Sequence, residues 1–192
     1  RDYVAIMKKI WRRDEPVVHE GQEFQLPYRG PGSVGLGKPL KSILHGNPDI
    51  PVLLGASTPG NIRLTGEIAD GWLCIHVTPD TIAGHLQKLS EGIAKRTDGK
   101  TLEDMEIITM CGLNVTDDVK GALAQAKPVT ALYVGGMGAR EKNFYNDYTR
   151  RLGYADAAAI IQDLYLAGRK EEAAAAVPDE YVAEAVFSIK VP

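Results

Sequence analysis

The sequence predicts an α/β protein built around a parallel sheet. Three strand-like apolar runs, over residues 51–55, 72–77 and 107–115, alternate with segments that have helical apolar spacing. The first run is continuously apolar, as expected of a parallel strand that is covered on both faces. Each connection is long enough for a right-handed crossover, so a barrel and a doubly wound sheet both fit the pattern.

Residues 1–49 lead into this pattern with a helix, a hairpin and a long loop. Apolar residues between positions 3 and 11 have helical spacing, with no N-cap ahead of them. Residues 17–19 and 24–26 flank a turn at Gly21 and predict a short hairpin. Residues 27–41 are rich in glycine and proline, which is typical of a loop.

Residues 50–127 are interpreted as three strand–helix units, and residues 128–192 as helix and turn. The predicted units pair strand 51–55 with a helix over 62–69 that ends at Asp70-Gly71, strand 72–77 with a helix beginning at Thr78-Pro79, and strand 107–115 with a helix capped by Thr116. Residues 185–191 are apolar enough to form either a helix or a strand. We treat residues 1–192 as one incomplete domain.

Composition and charge restrict the class of partner. A net charge of -3 and a pI near 5.8 give no broad attraction to nucleic acid or anionic lipid, so we expect neither as a partner and predict a small-molecule substrate. No apolar run approaches the roughly 20 residues of a membrane span, and the N-terminus lacks a signal-peptide core. We therefore expect a cytoplasmic protein.

Metal binding is not predicted from the cysteines and histidines. Cys74 and Cys111 lie far apart in apolar stretches and form no CxxC pair. The four histidines are scattered without the spacing of a zinc site. Buried free thiols are the simpler interpretation.

The best candidate site is the segment Gly55-Ala56-Ser57-Thr58-Pro59-Gly60-Asn61, between a buried strand and the start of a helix. Loops at the C-terminal ends of parallel strands form the active face of α/β folds. Small residues let the backbone approach a ligand, and free N–H groups at a helix start attract anions. Cofactor phosphate could bind here, although Ser57 or Thr58 could also merely cap the helix.

Weaker candidates lie elsewhere. His76, near the end of the second strand, is a candidate catalytic residue, although a structural histidine is commoner. Asp70 is expected to organise a turn rather than bind a ligand. Residues 135–140 contain three glycines without the GxGxxG spacing, and Arg140 and Lys142 beside them could contact an acidic ligand or simply be solvated. The aromatic residues Phe144, Tyr145 and Tyr148 suit a pocket, core packing or a subunit contact.

Four motifs in order give the chain a family resemblance. They are Gly35-Leu36-Gly37-Lys38-Pro39-Leu40-Lys41, Ile50-Pro51-Val52-Leu53-Leu54-Gly55-Ala56, Gly66-Glu67-Ile68-Ala69-Asp70-Gly71-Trp72, and Tyr133-Val134-Gly135-Gly136-Met137-Gly138-Ala139-Arg140 followed by Lys142-Asn143-Phe144-Tyr145-Asn146-Asp147. With these motifs the sequence resembles the luciferase-like monooxygenase superfamily, in particular its oxidoreductases that depend on the deazaflavin coenzyme F420.

The resemblance implies a fold, a cofactor and a site. It implies part of a TIM-type (β/α)8 barrel, usually dimeric, in which the three strands are similar to strands five to seven. It also implies that residues 55–61 match the family's turn that holds the cofactor phosphate, with Gly55, Ala56, Ser57, Thr58, Gly60 and Asn61 as binding residues. Units that supply the ring site are missing, and a full barrel needs about 250 residues, so we expect this chain alone to lack a complete active site.

The resemblance leaves several functions open. The first is part of an oxidoreductase that transfers a hydride between coenzyme F420 and a small organic substrate, with FMN as the alternative cofactor. The second is a non-catalytic flavin-binding relative with a shortened barrel. The third is an unrelated phosphate-binding isomerase. Arg1, where a natural start would be methionine, favours a fragment over a natural short protein.

Overall fold

The computed structural model describes residues 1–75, 77–78, 80–110 and 112–189, which form two compact units. Unit 1 comprises the described residues of Arg1–Ile75 and Asp80–Ile108. Unit 2 comprises those of His76–Pro79 and Thr109–Pro192.

The first part of the chain contains a helix, a hairpin and alternating strands and helices. Its elements are α1 (Asp2–Arg12), β1 (His19–Glu20), β2 (Gln25–Leu26), β3 (Leu53–Gly55), α2 (Pro59–Ile68), β4 (Gly71–Cys74), α3 (Ile82–Ile93), a 3-10 turn (Leu102–Asp104) and β5 (Glu106–Thr109). Strands β3, β4 and β5 are neighbours in that order in one sheet, and β3 runs parallel to β4 with Leu53 opposite Gly71. The predicted α/β class with a parallel sheet is confirmed.

The predicted hairpin is also confirmed. Strands β1 and β2 are antiparallel, with His19 opposite Leu26. The N–H of Gly21 donates to the carbonyl of Phe24 at 2.9 Å and closes the turn. The side chain of Asp2 in α1 accepts from the N–H groups of Glu23 and Phe24, which ties the hairpin to the first helix.

The core of unit 1 lies where helices α2 and α3 pack on each other and on the sheet. Ile62, Trp72 and Leu89 are at most 1% exposed. Glycines make the helix contact close: a Cβ on Gly66 would lie 2.2 Å from the carbonyl oxygen of Leu89, and one on Gly92 would lie 1.9 Å from that of Arg63. Only a residue without a side chain fits at either position.

Unit 2 is mainly helical. Its elements are β6 (Gly112–Val115), α4 (Val119–Ala131), a π-helical turn (Leu132–Gly136), α5 (Phe144–Arg151), α6 (Ala155–Leu166), α7 (Lys170–Ala175), α8 (Asp179–Ala185) and β7 (Val186–Ile189). Strands β6 and β7 form a parallel pair. Small apolar residues dominate the core, which contains Ala131, Val134, Ala158, Ile161, Ala173, Val177, Tyr181 and Val182.

Several predicted boundaries were wrong. Residues 107–115 do not form one strand, because β5 joins the sheet of β3 and β4 whereas β6 pairs with β7. The predicted caps Thr116 and Thr78 are not the N-caps: Asp118 precedes α4 and accepts from the N–H of Gly121, and Thr81 precedes α3. The ambiguous segment 185–191 contains strand β7, so the last third of the chain is not all helix and turn.

Candidate functional site

The predicted turn lies where strand β3 ends and helix α2 begins. Gly55 is the last residue of β3, and Pro59 is the first residue of α2. Since β3 runs parallel to β4, the turn lies at the C-terminal edge of this strand pair. The segment 55–61 therefore occupies the position that ligands use in α/β sheets.

The two glycines of the turn border open space. Among the described residues, no atom lies within 4 Å of a Cβ built on Gly55 or on Gly60, apart from the chain neighbours and, for Gly60, the backbone of its own helix. Both glycines are exposed, as is Asn61, whereas Ala56 is buried and Ser57 and Thr58 are half-buried. A ligand can approach the backbone at both ends of the turn.

Among the described residues, few hydrogen-bond partners face the polar groups of the turn. Thr58 occupies the N-cap position, but its side chain makes no capping hydrogen bond. The N–H of Ile62, which donates to the carbonyl of Thr58 at 2.9 Å, makes the first bond of the helix. The N–H groups of Gly60 and Asn61 precede it and have no acceptor within the helix. The Thr58 hydroxyl therefore does not cap the helix, although capping is the simpler interpretation of the sequence.

The buried side chain of Trp72 contacts the turn through a hydrogen bond to its backbone. The indole Nε1–H of Trp72 in β4 donates to the carbonyl of Ala56 at 2.8 Å, and the side chain is 1% exposed. The ring of Trp72 stacks on that of His85, with centroids 5.6 Å apart and planes at 19°. No pattern in the sequence predicts this bond, because it joins residues sixteen positions apart through the tertiary fold.

Asp70 lies at the opposite end of β4 from the turn and is fully engaged. Its carboxylate accepts from Lys8 at 2.7 Å, from Lys100 at 2.8 Å and from the N–H of Val52 at 3.0 Å. Burial acts to raise the pKa of Asp70, but these three donors outweigh it, and the pKa lies well below its ordinary value. The contacts of Asp70 are those of a residue that joins α1 to the sheet.

The weak catalytic candidate His76 lies outside the described residues, as does Cys111. Cys74, on the same strand as Trp72, is 1% exposed, and its thiol contacts the carbonyl oxygen of Ile108 at 3.3 Å.

Among the described residues, no group of three or more His, Cys, Asp or Glu side chains is arranged to hold a metal ion. No helix in the described part of the chain is long and apolar enough to cross a membrane.

The second glycine segment, residues 135–140, is packed rather than open. A Cβ on Gly135 would lie 2.5 Å from the Cβ of Tyr165, and one on Gly136 would lie 2.4 Å from the same ring. A Cβ on Gly138 would lie 2.5 Å from the carbonyl oxygen of Lys142. Gly135 and Gly136 thus let the π-helical turn pack against α6, and Gly138 lets the chain pass close to the backbone of Lys142.

Two buried asparagines satisfy the carbonyls of this turn. Asn143 and Asn146 each donate from Nδ2 to the carbonyl of Val134, at 3.0 and 3.1 Å. Asn146 also donates to the carbonyl of Ala158 at 2.7 Å and accepts from Arg150 at 2.7 Å. The charged candidate Arg140 pairs with Asp163 on the surface, and Lys142 is exposed.

The aromatic candidates pack on one another. Tyr145 makes edge contacts with Tyr133 and Phe144, at centroid distances of 4.7 and 5.2 Å. Phe144 also stacks with Tyr148 at 6.1 Å. Tyr148 is buried, Tyr145 is half-buried and Phe144 is exposed, so the group forms the outer layer of unit 2 at the start of α5.

A parallel sheet with an open turn between a strand and a helix is typical of an α/β ligand-binding protein. The sequence profile of the luciferase-like monooxygenase family matches residues 1–188, so the chain belongs to that family. It is 43% identical over 188 residues to Rv3520c of Mycobacterium tuberculosis (strain ATCC 25618 / H37Rv), which is provisionally named a coenzyme F420-dependent oxidoreductase. The match covers 97% of this chain and 54% of that protein, so the chain spans about half the length of this relative.

Two solved structures share the fold. One is the coenzyme F420-dependent tetrahydromethanopterin reductase of Methanopyrus kandleri, with a TM-score of 0.66, 20% identity, and coverage of 97% of this chain and 55% of that one. The other is an F420-dependent secondary alcohol dehydrogenase in complex with an F420-acetone adduct, with a TM-score of 0.60, 18% identity, and coverage of 96% and 46%. The predicted fold, part of a luciferase-like TIM barrel, is confirmed.

The turn fits the phosphate of such a cofactor. The space beside Gly55 and Gly60 admits a ligand, and the N–H groups at the start of α2 that have no acceptor within the helix are donors suited to an anion. The half-buried hydroxyls of Ser57 and Thr58 add donors of the kind that phosphate oxygens accept from.

Proposed function

We propose that residues 55–61 bind the phosphate of coenzyme F420 and that the intact protein is an F420-dependent oxidoreductase acting on a small organic molecule. The observation that carries this proposal is the open turn: space beside Gly55 and Gly60, and donors at the start of α2 that no group in the described part of the chain engages. The 43% identity to a provisionally named F420-dependent oxidoreductase supports F420 as the cofactor.

The chain's own contribution is binding and orientation. The N-terminus of α2 carries a partial positive charge, which stabilises a nearby anion by about 0.3 to 2 kcal/mol. Each hydrogen bond from a backbone amide or hydroxyl to a charged phosphate contributes about 1.5 to 3 kcal/mol. Together these terms are large enough to hold the cofactor tail, while the bound deazaflavin supplies the hydride-transfer chemistry.

Two alternatives are testable with the same protein. FMN also carries a phosphate, so the turn alone suits either cofactor, and the visible absorbance of the cofactor that copurifies distinguishes them. A non-catalytic flavin-binding relative would bind the cofactor without oxidising or reducing a substrate. The homodimer and the cytoplasmic location stay predictions, to be checked by light scattering and by cell fractionation.

A matched pair of substitutions at Gly60 tests the phosphate site. Gly60→Asp places a negative charge in open space at the start of α2, where an acidic side chain does not disturb the helix. We expect it to weaken F420 binding about 100-fold, or about 2.7 kcal/mol, by repelling the phosphate. Gly60→Asn adds a side chain of the same size in the same place without charge, so it should weaken binding at least tenfold less than Gly60→Asp does. The affinities are measured by fluorescence titration.

The outcome is decided by the difference between the two variants. Thermal unfolding should show that both keep the melting temperature of the native protein. Equal F420 affinity in the two variants would place the phosphate elsewhere and remove the basis for the proposed site.

A further inference from the structure

The peptide between Ala56 and Ser57 is held from one side by Trp72. The indole Nε1–H donates to the Ala56 carbonyl at 2.8 Å, and both side chains are buried. In a trans peptide the carbonyl and the following N–H point in opposite directions. The bond that fixes the Ala56 carbonyl toward Trp72 therefore directs the N–H of Ser57 away from it.

We propose that Trp72 is a positioning residue that aims the Ser57 amide at the cofactor phosphate. The proposal rests on the proposed function, since it assigns a role to the same turn. Without the indole donor, the Ala56–Ser57 peptide would be free to rotate. The Ala56 carbonyl, which repels an anion, could then turn toward the phosphate in place of the amide.

The surroundings of Trp72 explain how it can do this. The side chain is 1% exposed and stacks on His85, whose Nδ1 lies 2.8 Å from the carbonyl oxygen of Thr81 in the turn before α3. The indole is thus fixed by the sheet on one side and by the start of α3 on the other. A donor held this firmly loses little conformational entropy when the turn binds an anion.

Removing the indole N–H while keeping an aromatic ring tests the role. Trp72→Phe keeps a ring against His85 but deletes the donor, and Trp11→Phe is the matched control in α1. A second variant replaces Trp72 with 3-benzothienylalanine in the Trp11→Phe background, so that sulfur takes the place of N–H and the shape is kept. Binding is measured in the intact protein for F420, for the same deazaflavin chromophore without its phosphate-bearing tail, and for inorganic phosphate.

We expect both Trp72 variants to bind F420 and inorganic phosphate at least fivefold more weakly than the native protein. The Trp72 variants should bind the phosphate-free chromophore as tightly as the native protein does. Trp11→Phe should change none of the three affinities. In nitrogen–proton correlation spectra, phosphate should shift the Ser57 amide strongly in the native protein and weakly in the variants. The Gly60 and Asn61 amides should shift on addition of phosphate in the native protein and in the Trp72 variants alike.

Failures of the two proposals differ. If the native protein prefers the phosphate-bearing ligand but the benzothienyl variant keeps that preference, the role of Trp72 is refuted and the site stands. An equal loss for the phosphate-bearing and phosphate-free ligands also refutes it, because a general loss of packing would explain the result. If the native protein itself shows no preference for phosphate, the proposed function fails and the role of Trp72 fails with it.

Discussion

Two glycine-rich segments of this chain belong to recognisable motifs, yet their surroundings are opposite. At residues 55–61, a Cβ on either glycine would meet open space among the described residues, and the Thr58 hydroxyl makes no capping bond. At residues 135–140 the same addition would collide with Tyr165 or with backbone, and buried asparagines engage the carbonyl of Val134 just before the segment. Glycine thus permits close packing of the protein in the second segment, whereas in the first it leaves open the space that the proposed ligand would occupy.

The largest expected difference between the segments is in stability. Gly135→Ala should lower the free energy of unfolding by about 3 kcal/mol, because the new Cβ would lie 2.5 Å from the Cβ of Tyr165. The gain in helix propensity, at most about 1 kcal/mol, does not offset this collision. Gly55→Ala is the control and should cost less than about 0.5 kcal/mol. Urea unfolding measures both, and equal costs would break the comparison.

Asparagine substitutions should give the next largest difference. Asn146→Ala removes two donated bonds and the acceptor for Arg150 from a side chain that is 3% exposed, so we expect a loss of about 2 kcal/mol. Asn61→Ala alters an exposed side chain and should change stability by less than about 0.5 kcal/mol. Thermal unfolding of the two variants is the measurement. If Asn61→Ala is destabilised, the Asn61 side chain makes stabilising contacts that its exposure does not indicate.

A smaller, pH-dependent effect is expected at Asp70, at the other end of β4. Its pKa is lowered in the folded state, so the stability it contributes is present above its unfolded pKa of about 3.9 and is lost as the pH falls below that value. Asp70→Asn should lower stability at pH 7 by about 1 to 2 kcal/mol and reduce the loss between pH 5 and pH 2. Other lowered carboxyl pKa values, such as that of Asp98 at about 2, remain in both proteins.

The control for Asp70 is the pH profile itself. Urea midpoints of the native protein and Asp70→Asn should converge as the pH falls toward 2. Parallel profiles would show that the contacts of Asp70 with Lys8 and Lys100 contribute no pH-dependent stability.

Local patterns predicted much of the fold, and tertiary partners decided the rest. The apolar strand that ends at Gly55, the hairpin around Gly21 and the helix after the turn follow from apolar spacing and turn residues, which act over a few positions. The break between β5 and β6 does not, because each strand is defined by a different partner along the chain. The apolar pattern of residues 107–115 does not reveal whether these residues form one strand in one sheet or two strands in different sheets.

The site shows the same division. The segment 55–61 could be found because a strand, small residues and a helix start adjoin in sequence. The contact of Trp72 with Ala56 could not be found, since nothing in the sequence relates an indole to a particular carbonyl. The packed state of residues 135–140 was equally hidden, because Tyr165 lies on a separate helix.

The close contact of α2 with α3 through Gly66 and Gly92 has a consequence for ligand exchange. Two helices that touch backbone to backbone cannot slide along each other without a clash, so α2 has one stable register. Its first turn should therefore hold the same position before and after an anion arrives. We therefore expect the proposed cofactor to bind a preformed site. Its association rate should be set by diffusion and orientation rather than by rearrangement of α2.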